Sequence, residues 1–312
     1  MSAPMAMHSG GTLAAAVTVG GGLGSFGGVH LTKGPDWLRS QVEIVRAATD
    51  GPFAIGFITP FLEATKAMFD AALEARPSAI AFSFSDPAQW VEPARAAGAR
   101  IICQVQTPND AAAAVAAGTD VLVVQGTEAG GHTGTMSLLP LLSHVASRYP
   151  DIPVLAAGGV ADGRTLAAAL MAGADGVWMG TAFLATDEAV EIGDAHKQLV
   201  VDSDGADTVF TQAYDILSGA PWPSHIGERV RRNDFTKEWE GRTVELRARR
   251  DEIVARRGPR NPESAPDPDQ DPILYGLSAA LVPSVRPAAE VVRSISQEAE
   301  QILRTRPDSL LD

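Results

Sequence analysis

Three features of the sequence predict an α/β fold, namely a (β/α)8 TIM barrel with a small helical insert after the eighth strand. Short apolar runs alternate with alanine-rich segments from the first residues to about position 185, and such alternation is typical of a parallel sheet with helices outside it. Glycine-rich loops follow several of the apolar runs. After about residue 187 the alternation ends, and charged segments with helical spacing follow.

Eight strand candidates can be placed in order along the chain. The first is the short segment Ser2-Ala3-Pro4-Met5, which leads into a helix at Leu13–Val19, and the others lie at 22–27, 53–58, 79–84, 101–106, 120–125, 153–157 and 175–179. Between them, segments such as 61–75, 110–117 and 164–172 are rich in good helix formers. Eight βα units close a barrel, whose active site lies on the loops after the strand C-termini. The opening strand is short for a barrel wall, so we expect the natural chain to begin upstream and part of this strand to be missing.

The barrel is expected to comprise residues 1–193 and 262–312, with a small helical insert or cap domain at 194–261. Within the insert a long helix is predicted over 233–257, and the Pro- and Asp-rich stretch 258–272 is predicted to be a linker. The final helix, at about 287–303, is predicted to pack against the barrel as its last helix. Its apolar residues at helical spacing are Ala289, Val292, Ile295, Ala299 and Ile302.

Composition narrows the class of protein. The chain has 312 residues, of which 45% are hydrophobic, enough to bury a large core. The net charge of −13 argues against a nucleic-acid partner, and the positive residues at 229–232 and 247–257 alternate with acidic ones, which predicts a solvated helix face. Cys103 is the only cysteine and is predicted to be a buried apolar residue. No apolar run is long enough for a membrane span, and no signal peptide is recognisable, so a cytoplasmic protein without a membrane partner is expected.

The loop Gln125-Gly126-Thr127-Glu128-Ala129-Gly130-Gly131-His132-Thr133-Gly134 follows a predicted buried strand. Strands fix such loops, and glycines let backbone N–H groups approach a ligand. Histidine is the side chain whose ordinary pKa lies nearest neutrality, which makes His132 the candidate for moving a proton. The alternative is a tight turn in which the histidine only caps the backbone.

Two more glycine loops follow the seventh and eighth strands, at 158–163 and 180–182. Loops at these positions bind phosphate in many barrels, and the backbone N–H groups of Gly159, Gly180 and Thr181 are suited to a dianion. Tight turns alone are the alternative. The segment 22–27 matches the dinucleotide pattern G-x-G-x-x-G, but its helical and acidic context is absent, so we interpret it as a strand with close backbone approach.

Motifs along nearly the whole chain resemble the nitronate monooxygenase family, formerly called 2-nitropropane dioxygenases. They are APMA at 3–6, GGLGSFGG at 21–28, FSFSDP at 82–87, QGTEAGGHTG at 125–134, AAGGVADG at 156–163, GVWMGTAFLAT at 176–186 and the tail YGLSAALVPSVRPAAEVV at 275–292. The EAGGH loop together with the GGVADG and GT pair is specific, whereas either alone is weaker.

The resemblance implies an FMN-binding TIM barrel whose insert lies over its mouth. By motif, the flavin ring would be lined by Ala3, Pro4, Met5, Gln104, Gly131 and His132, and the FMN phosphate would be held by Gly158, Gly159, Gly180 and Thr181. His132 matches the family's catalytic histidine, the base that takes a proton from a nitroalkane carbon before the nitronate is oxidised with O2. Family members often carry an Asn where this chain has Gly56-Phe57-Ile58-Thr59, and a Gln where it has Leu277, which implies altered flavin or substrate contacts.

Other candidates are weaker. His8 is either a second polar group near the mouth or a surface residue, and Glu128 either orients His132 or starts a turn. Trp178 is predicted to be a core residue. The histidines His30, His144, His196 and His225 show no ligand-like cluster, so no metal is predicted.

The function expected from these residues is FMN-dependent oxidation of alkyl nitronates or nitroalkanes with O2, with His132 as base. The alternative is an NAD(P)H-dependent flavin reductase of a quinone or an enoyl thioester, because one scaffold serves both. A flavin- or phosphate-binding protein without turnover is a third possibility. The expected partners are a small-molecule substrate and O2, and a homo-oligomer is left open.

Overall fold

The computed structural model describes residues 1–258 and 265–306. Its ten strands within those residues are β1 (Gly24–Gly27), β2 (Phe53–Ile58), β3 (Ala79–Ser83), β4 (Arg100–Val105), β5 (Val121–Gln125), β6 (Gly131–Thr133), β7 (Val154–Ala157), β8 (Gly176–Trp178), β9 (Thr208–Thr211) and β10 (Gly227–Arg231). Seven of them form one parallel sheet in the order β1-β2-β3-β4-β5-β7-β8. The predicted parallel α/β architecture is therefore confirmed.

The opening segment of the chain joins the two edges of this sheet. Ser2 pairs in parallel with Met179, directly after β8, and its N–H donates to the carbonyl of Leu23, next to β1, at 3.1 Å. The Ser2 hydroxyl accepts a hydrogen bond from the Ser25 N–H at 2.8 Å, and the Ser25 hydroxyl donates back to the Ser2 carbonyl at 2.6 Å. This short extended segment was predicted as the first strand. It bonds to both edges of the seven-stranded sheet and so closes the barrel.

Helices cover the outside of the barrel, as the alanine-rich segments predict. The barrel helices are α1 (Gly11–Val19), α2 (Pro35–Ala48), α3 (Lys66–Ala75), α4 (Ala88–Ala96), α5 (Pro108–Ala116), α6 (Leu138–Arg148), α7 (Gly163–Met171) and α8 (Thr181–Leu184). Those that follow β8 are α9 (Asp194–Val201), α10 (Ala213–Ser218), α11 (Asp234–Trp239), α12 (Thr243–Ala248), α13 (Arg250–Arg257) and α14 (Ala288–Thr305). Short 3-10 helices lie at Thr59–Phe61 and Leu277–Leu281.

The final helix packs where the sequence predicts. α14 lies against α7 and α1 and so completes the ring of helices. Its buried face consists of Ala288, Val291, Ile295 and Ala299. Ile295 and Ala299 are buried as predicted, whereas Ala289, Val292 and Ile302 are only half-buried.

The glycine at position 24 allows α1 and β1 to approach each other closely. A side chain at Gly24 would collide with the backbone carbonyl of Ala14 and with the Thr18 hydroxyl. The glycine pattern at 22–27 is therefore a site of close backbone approach, as interpreted from the sequence, and not a dinucleotide loop.

The insert is not purely helical, and this corrects the sequence-based prediction. β9 and β10 pair antiparallel within the insert, and β10 also pairs with β6, giving a three-stranded sheet in the order β6-β10-β9. β10 reads GERVR, so its charged residues conceal the alternation of a strand that is only five residues long. Arg229 to Arg231 therefore belong to a strand and not to a solvated helix face.

The predicted long helix over 233–257 is also wrong in detail. It is divided into α11, α12 and α13, with a break at Gly241, whose φ of +71° a helix cannot accommodate. A separate apolar cluster forms here; its fully or nearly buried members are Tyr214, Val230, Phe235, Trp239, Leu246 and Ile253. Part of the predicted linker, residues 259–264, and the proposed boundary at 261/262 lie outside the described residues.

Candidate active site

The loops after the strand C-termini meet at one end of the barrel, and the opening segment lies across it. Pro4 covers Gly56 of β2 so closely that a side chain at Gly56 would collide with the proline ring. A Cβ built on Gly180 would lie 3.4 Å from Met5 Sδ and 3.6 Å from Ala3 Cβ. The residues of the predicted first loop are thus beside the predicted phosphate loop, at the catalytic end of the barrel.

Two consecutive left-handed glycines shape the loop after β7. Gly158 has φ +93° and Gly159 has φ +73°, a conformation that residues with a Cβ rarely adopt. A Cβ on Gly158 would also lie 2.9 Å from both the Ala129 nitrogen and the Gly126 oxygen. The backbone N–H groups of Gly159 and Gly180 donate no hydrogen bond to any residue that the structure describes. Both are free donors, which is the chemistry that a phosphate group requires.

Thr181 contributes differently from the two glycines. Its hydroxyl accepts a hydrogen bond from the Gly276 N–H at 3.0 Å. The Leu277 N–H in turn donates to the Glu128 carbonyl at 3.0 Å. The closing segment at 275–277 therefore ties the loop after β8 to the loop that carries His132.

Three buried glutamines connect the barrel interior to that loop. The Gln106 amide donates to Gln104 Oε1 at 3.2 Å and to Gln125 Oε1 at 2.9 Å. The Gln125 amide donates to the His132 carbonyl at 3.1 Å. Because the oxygen of Gln104 is held by Gln106, its NH2 group faces away from Gln106 and is available as a donor.

His132 lies on β6 and meets a carboxylate from the insert. Its Nε2 is 2.8 Å from Oδ1 of Asp215, a residue in the first turn of α10. The side chains of His132 and Asp215 are only 20% and 12% exposed, so solvent screens this contact less than it would at the surface. Glu128, which the sequence suggested as a partner, instead accepts from the Leu138 N–H at the start of α6.

The insert places a second carboxyl group, that of Glu228, next to His132. It is opposite His132 in the β6-β10 pairing and is 4% exposed. Burial, followed by the nearby charge of Asp215, raises the pKa of Glu228 well above its ordinary value. Oε1 of Glu228 and Oδ2 of Asp215 are both buried and have no hydrogen-bond partner among the described residues.

An aromatic cluster covers the ring of His132. Trp222, from the loop between α10 and β10, stacks on the imidazole with ring centroids 3.6 Å apart and planes 15° from parallel. Phe61 and Phe84 pack edge-on against Trp222 at 4.9 Å and 5.3 Å. Phe84 has φ +74°, which is strained for a bulky side chain, and such strained residues cluster at functional sites.

Arg229 holds the other side of the loop. Its Nε donates to the Thr127 carbonyl at 2.8 Å, and burial lowers its pKa while Glu128 opposes that shift. The insert therefore contacts the His132 loop twice, through the pairing of β10 with β6 and through the hydrogen bond from Arg229 to Thr127.

His8 is also near this end of the barrel but does not meet His132. Its Nδ1 is 2.9 Å from the Ala6 carbonyl oxygen, and its ring packs edge-on against His196 at 5.7 Å. Burial lowers the pKa of His8, and burial together with His8 lowers the pKa of His196 to about 4. Both rings are consequently neutral near pH 7 and act as packing groups.

Two residues predicted to lie in the core are buried. Trp178 and Cys103 are core residues at 4% and 2% exposure, as predicted, and burial raises the pKa of Cys103 to about 11. Within residues 1–258 and 265–306, no group of three His, Cys, Asp or Glu side chains could hold a metal ion, and no helix is long and apolar enough to cross a bilayer.

Sequence reasoning missed three residues at this site, namely Asp215, Glu228 and Trp222. They come from the insert, far along the chain from His132, and no local pattern marks them. Thr59 follows β2, is 6% exposed, and its hydroxyl has no partner in the described part of the chain. It lies in the segment where family members often carry an Asn, and it places a buried hydroxyl there.

Comparisons with known proteins identify the family of this chain. The family model described as nitronate monooxygenase matches residues 61–298. Nitronate monooxygenase npaC of Metarhizium robertsii is 33% identical over 330 aligned residues, which cover 97% of this chain and 91% of that protein.

Solved structures give the same picture over almost the whole chain. FabK from Thermotoga maritima superposes with a TM-score of 0.81 at 28% identity, covering 99% of this chain and 94% of that one. Nitroalkane oxidase from Streptomyces ansochromogenes superposes with a TM-score of 0.78 at 28% identity, covering 98% and 96%.

Proposed function

This chain belongs to the nitronate monooxygenase family of flavin-dependent oxidoreductases, and we propose that it binds FMN and oxidises alkyl nitronates, or the nitroalkanes that form them, with O2. The observation that carries the proposal is the position of His132. It lies at the catalytic end of the barrel, and its Nε2 is 2.8 Å from Oδ1 of Asp215. The loop before it packs against Gly158, in the loop after β7.

The residues at this end of the barrel fit a flavin mononucleotide. The phosphate would be held by the free N–H groups of Gly159 and Gly180, with Gly158 and Thr181 shaping the two loops. The ring would lie against Ala3, Pro4, Met5 and Gly131, with the Gln104 amide as a donor. FMN would supply the electron transfer between the nitronate and O2.

A pair of glycine variants tests the phosphate site. Gly159→Ala adds a Cβ at φ +73°, beside the proposed phosphate, and should lower the flavin-to-protein absorbance ratio at least about ten-fold. Gly98→Ala is the matched control, because Gly98 also has positive φ, at +90°, but precedes β4 at the opposite end of the barrel. Flavin content in Gly159→Ala equal to that in Gly98→Ala would exclude the loop after β7 as the phosphate site.

The role proposed for His132 is proton removal. A neutral nitroalkane must lose a proton from the carbon that bears the nitro group, and the electron pair of the broken C–H bond then delocalises onto the nitro oxygens. A neutral imidazole accepts that proton, and the resulting imidazolium is stabilised by the Asp215 carboxylate. The aromatic cluster of Trp222, Phe61 and Phe84 limits water around the reacting carbon.

The reaction itself can be tested by anaerobic mixing of the purified protein with propionate 3-nitronate and, separately, with NADH. We expect the nitronate alone to bleach the visible absorbance of the oxidised flavin. Bleaching by NADH alone would instead support the alternative, an NAD(P)H-dependent reductase of a quinone or an enoyl thioester. A protein without a flavin spectrum would contradict both.

A further inference from the structure

The contact between His132 and Asp215 determines which nitrogen of the imidazole is free. A carboxylate has acceptors only, so the 2.8 Å contact to Asp215 Oδ1 requires a proton on Nε2. In a neutral imidazole the lone pair then lies on Nδ1. Nδ1 of His132 makes no hydrogen bond to any residue in the described parts of the chain, which leaves it open to a substrate.

Asp215 lies close to a second buried carboxyl group, that of Glu228. Two carboxyl groups are buried here, and Glu228 is the one whose pKa burial and Asp215 raise. A Glu228 that keeps its proton adds no second negative charge beside Asp215. Three further charged residues lie on the loop and the insert sheet, namely Glu128, which caps α6, Arg229, which binds Thr127, and Arg231, which binds the Pro268 carbonyl.

The stacked tryptophan restricts the approach to the ring. Trp222 covers one face of the imidazole at a centroid distance of 3.6 Å, and the Nε2 edge faces Asp215. The geometry therefore leaves the Nδ1 edge for a reacting carbon.

We infer that Asp215 is the positioning residue of His132: it holds the Nε2–H tautomer, so that Nδ1 takes the proton from the substrate carbon. This inference rests on the proposed function for the identity of the substrate. In the step, the C–H bond breaks, an Nδ1–H bond forms, and the electron pair remains on the nitronate. Asp215 keeps its hydrogen bond throughout and stabilises the positive charge that develops on the ring. A preformed nitronate has already lost this proton, so its turnover does not need Asp215.

The tautomer can be measured without any turnover. Long-range proton–nitrogen NMR correlations of the histidine rings distinguish Nε2–H from Nδ1–H, and the spectrum of His132→Asn identifies the signals of His132. We expect Nε2–H in the wild-type protein at a pH where the ring is neutral. A protonated Nδ1 with a bare Nε2 would overturn the inference, whatever the enzyme proves to oxidise.

Kinetics of Asp215→Asn provide the second readout. Its amide NH2 can donate to Nε2 and so favour the wrong tautomer, and we expect kcat on a neutral nitroalkane to fall about 100-fold or more. Turnover of the corresponding preformed nitronate should change less than about three-fold, because no proton is removed from carbon. Equal losses on both substrates, with the tautomer unchanged, would reduce Asp215 to a structural residue and overturn the inference.

Asp234→Asn is the matched control, since Asp234 lies in the same insert on α11 and its side chain is 68% exposed. It should leave both activities and the His132 signals unchanged. Failure of the wild-type protein to oxidise any nitro compound, with the expected tautomer still present, would overturn the proposed function and leave the positioning role of Asp215 standing.

Discussion

At the scale of single residues, His132 is the point at which two parts of the chain meet. The glutamines of β4 and β5 fix its backbone from the barrel side through Gln125, while Asp215 and Trp222 fix its ring from the insert. A side chain held from both sides loses little rotational freedom when a substrate binds, which favours a productive geometry.

His132→Asn tests the base directly. The amide cannot accept a proton near neutral pH, so activity on a neutral nitroalkane should fall by about 100-fold to 10,000-fold, while activity on the preformed nitronate falls much less. Flavin content should be retained, because the glycines proposed to hold the FMN phosphate are not changed. Equal losses on both substrates, measured by oxygen consumption, would remove the base assignment.

Glu228 should make the stability of the protein depend on pH. Its folded-state pKa is raised above the ordinary value of 4.5 by burial and by Asp215, so the folded protein holds a proton that the unfolded chain releases. Stability is then lost as pH rises above that ordinary value. Glu228→Gln removes this titration and keeps the shape of the side chain.

The free energy of unfolding of Glu228→Gln, relative to wild type, should therefore increase between about pH 5 and about pH 8 in urea denaturation. Glu63→Gln is the control, because Glu63 is an exposed residue. A difference between wild type and Glu228→Gln that stays constant over this range would contradict the raised pKa.

The sequence predicted part of this residue-level picture. His132 and the paired glycine loops could be found because each lies directly after a recognisable strand. Asp215 could not, because it lies 83 residues from its partner and a single aspartate in a short helix carries no local signal. The left-handed conformation of Phe84 is likewise a product of tertiary packing that no sequence pattern records.

At the scale of elements, the barrel strands and helices were predicted closely and the insert was not. The seven parallel strands are apolar runs with strong contrast to the helices between them. β9 and β10 are four and five residues long and include charged or polar positions. β6 is three residues of a glycine-rich loop and becomes a strand only because β10 pairs with it.

The loop between α10 and β10 should control which substrates reach His132. Trp222→Ala opens space beside the imidazole, and we expect the ratio of kcat/KM for a branched or long-chain nitroalkane to that for nitroethane to rise at least about ten-fold. Trp37→Ala is the matched control, because Trp37 lies on α2 and packs against His30 instead. An unchanged ratio in Trp222→Ala would exclude the aromatic cluster as a selectivity element.

At the scale of the whole molecule, the first three residues of the chain, Met1, Ser2 and Ala3, complete the barrel. A seven-stranded parallel sheet has two open edges, and the segment around Ser2 bonds to both of them. The same segment continues into Ala3, Pro4 and Met5 at the catalytic end. The same short segment therefore closes the barrel and supplies residues to the candidate active site.

Ser2→Pro tests this closure. Proline has no N–H to donate to the Leu23 carbonyl, so the free energy of unfolding should fall by about 1–3 kcal/mol, with a lower flavin content. Ser2→Ala keeps that N–H and loses only the hydroxyl contacts with Ser25, so its loss should be smaller. Identical urea midpoints for Ser2→Pro and the wild-type protein would show that the opening segment is not needed for closure.

The pairing of β6 with β10 has a consequence for engineering this scaffold. Strand register is exact, so a one-residue insertion or deletion in β10 would turn Glu228 away from His132 and bring Arg229 or Gly227 into its place. A chimaera that exchanges the insert alone would therefore alter the charge behind the histidine even if every barrel residue were retained. Recombination between relatives should take the His132 loop and the β9-β10 ribbon from the same parent.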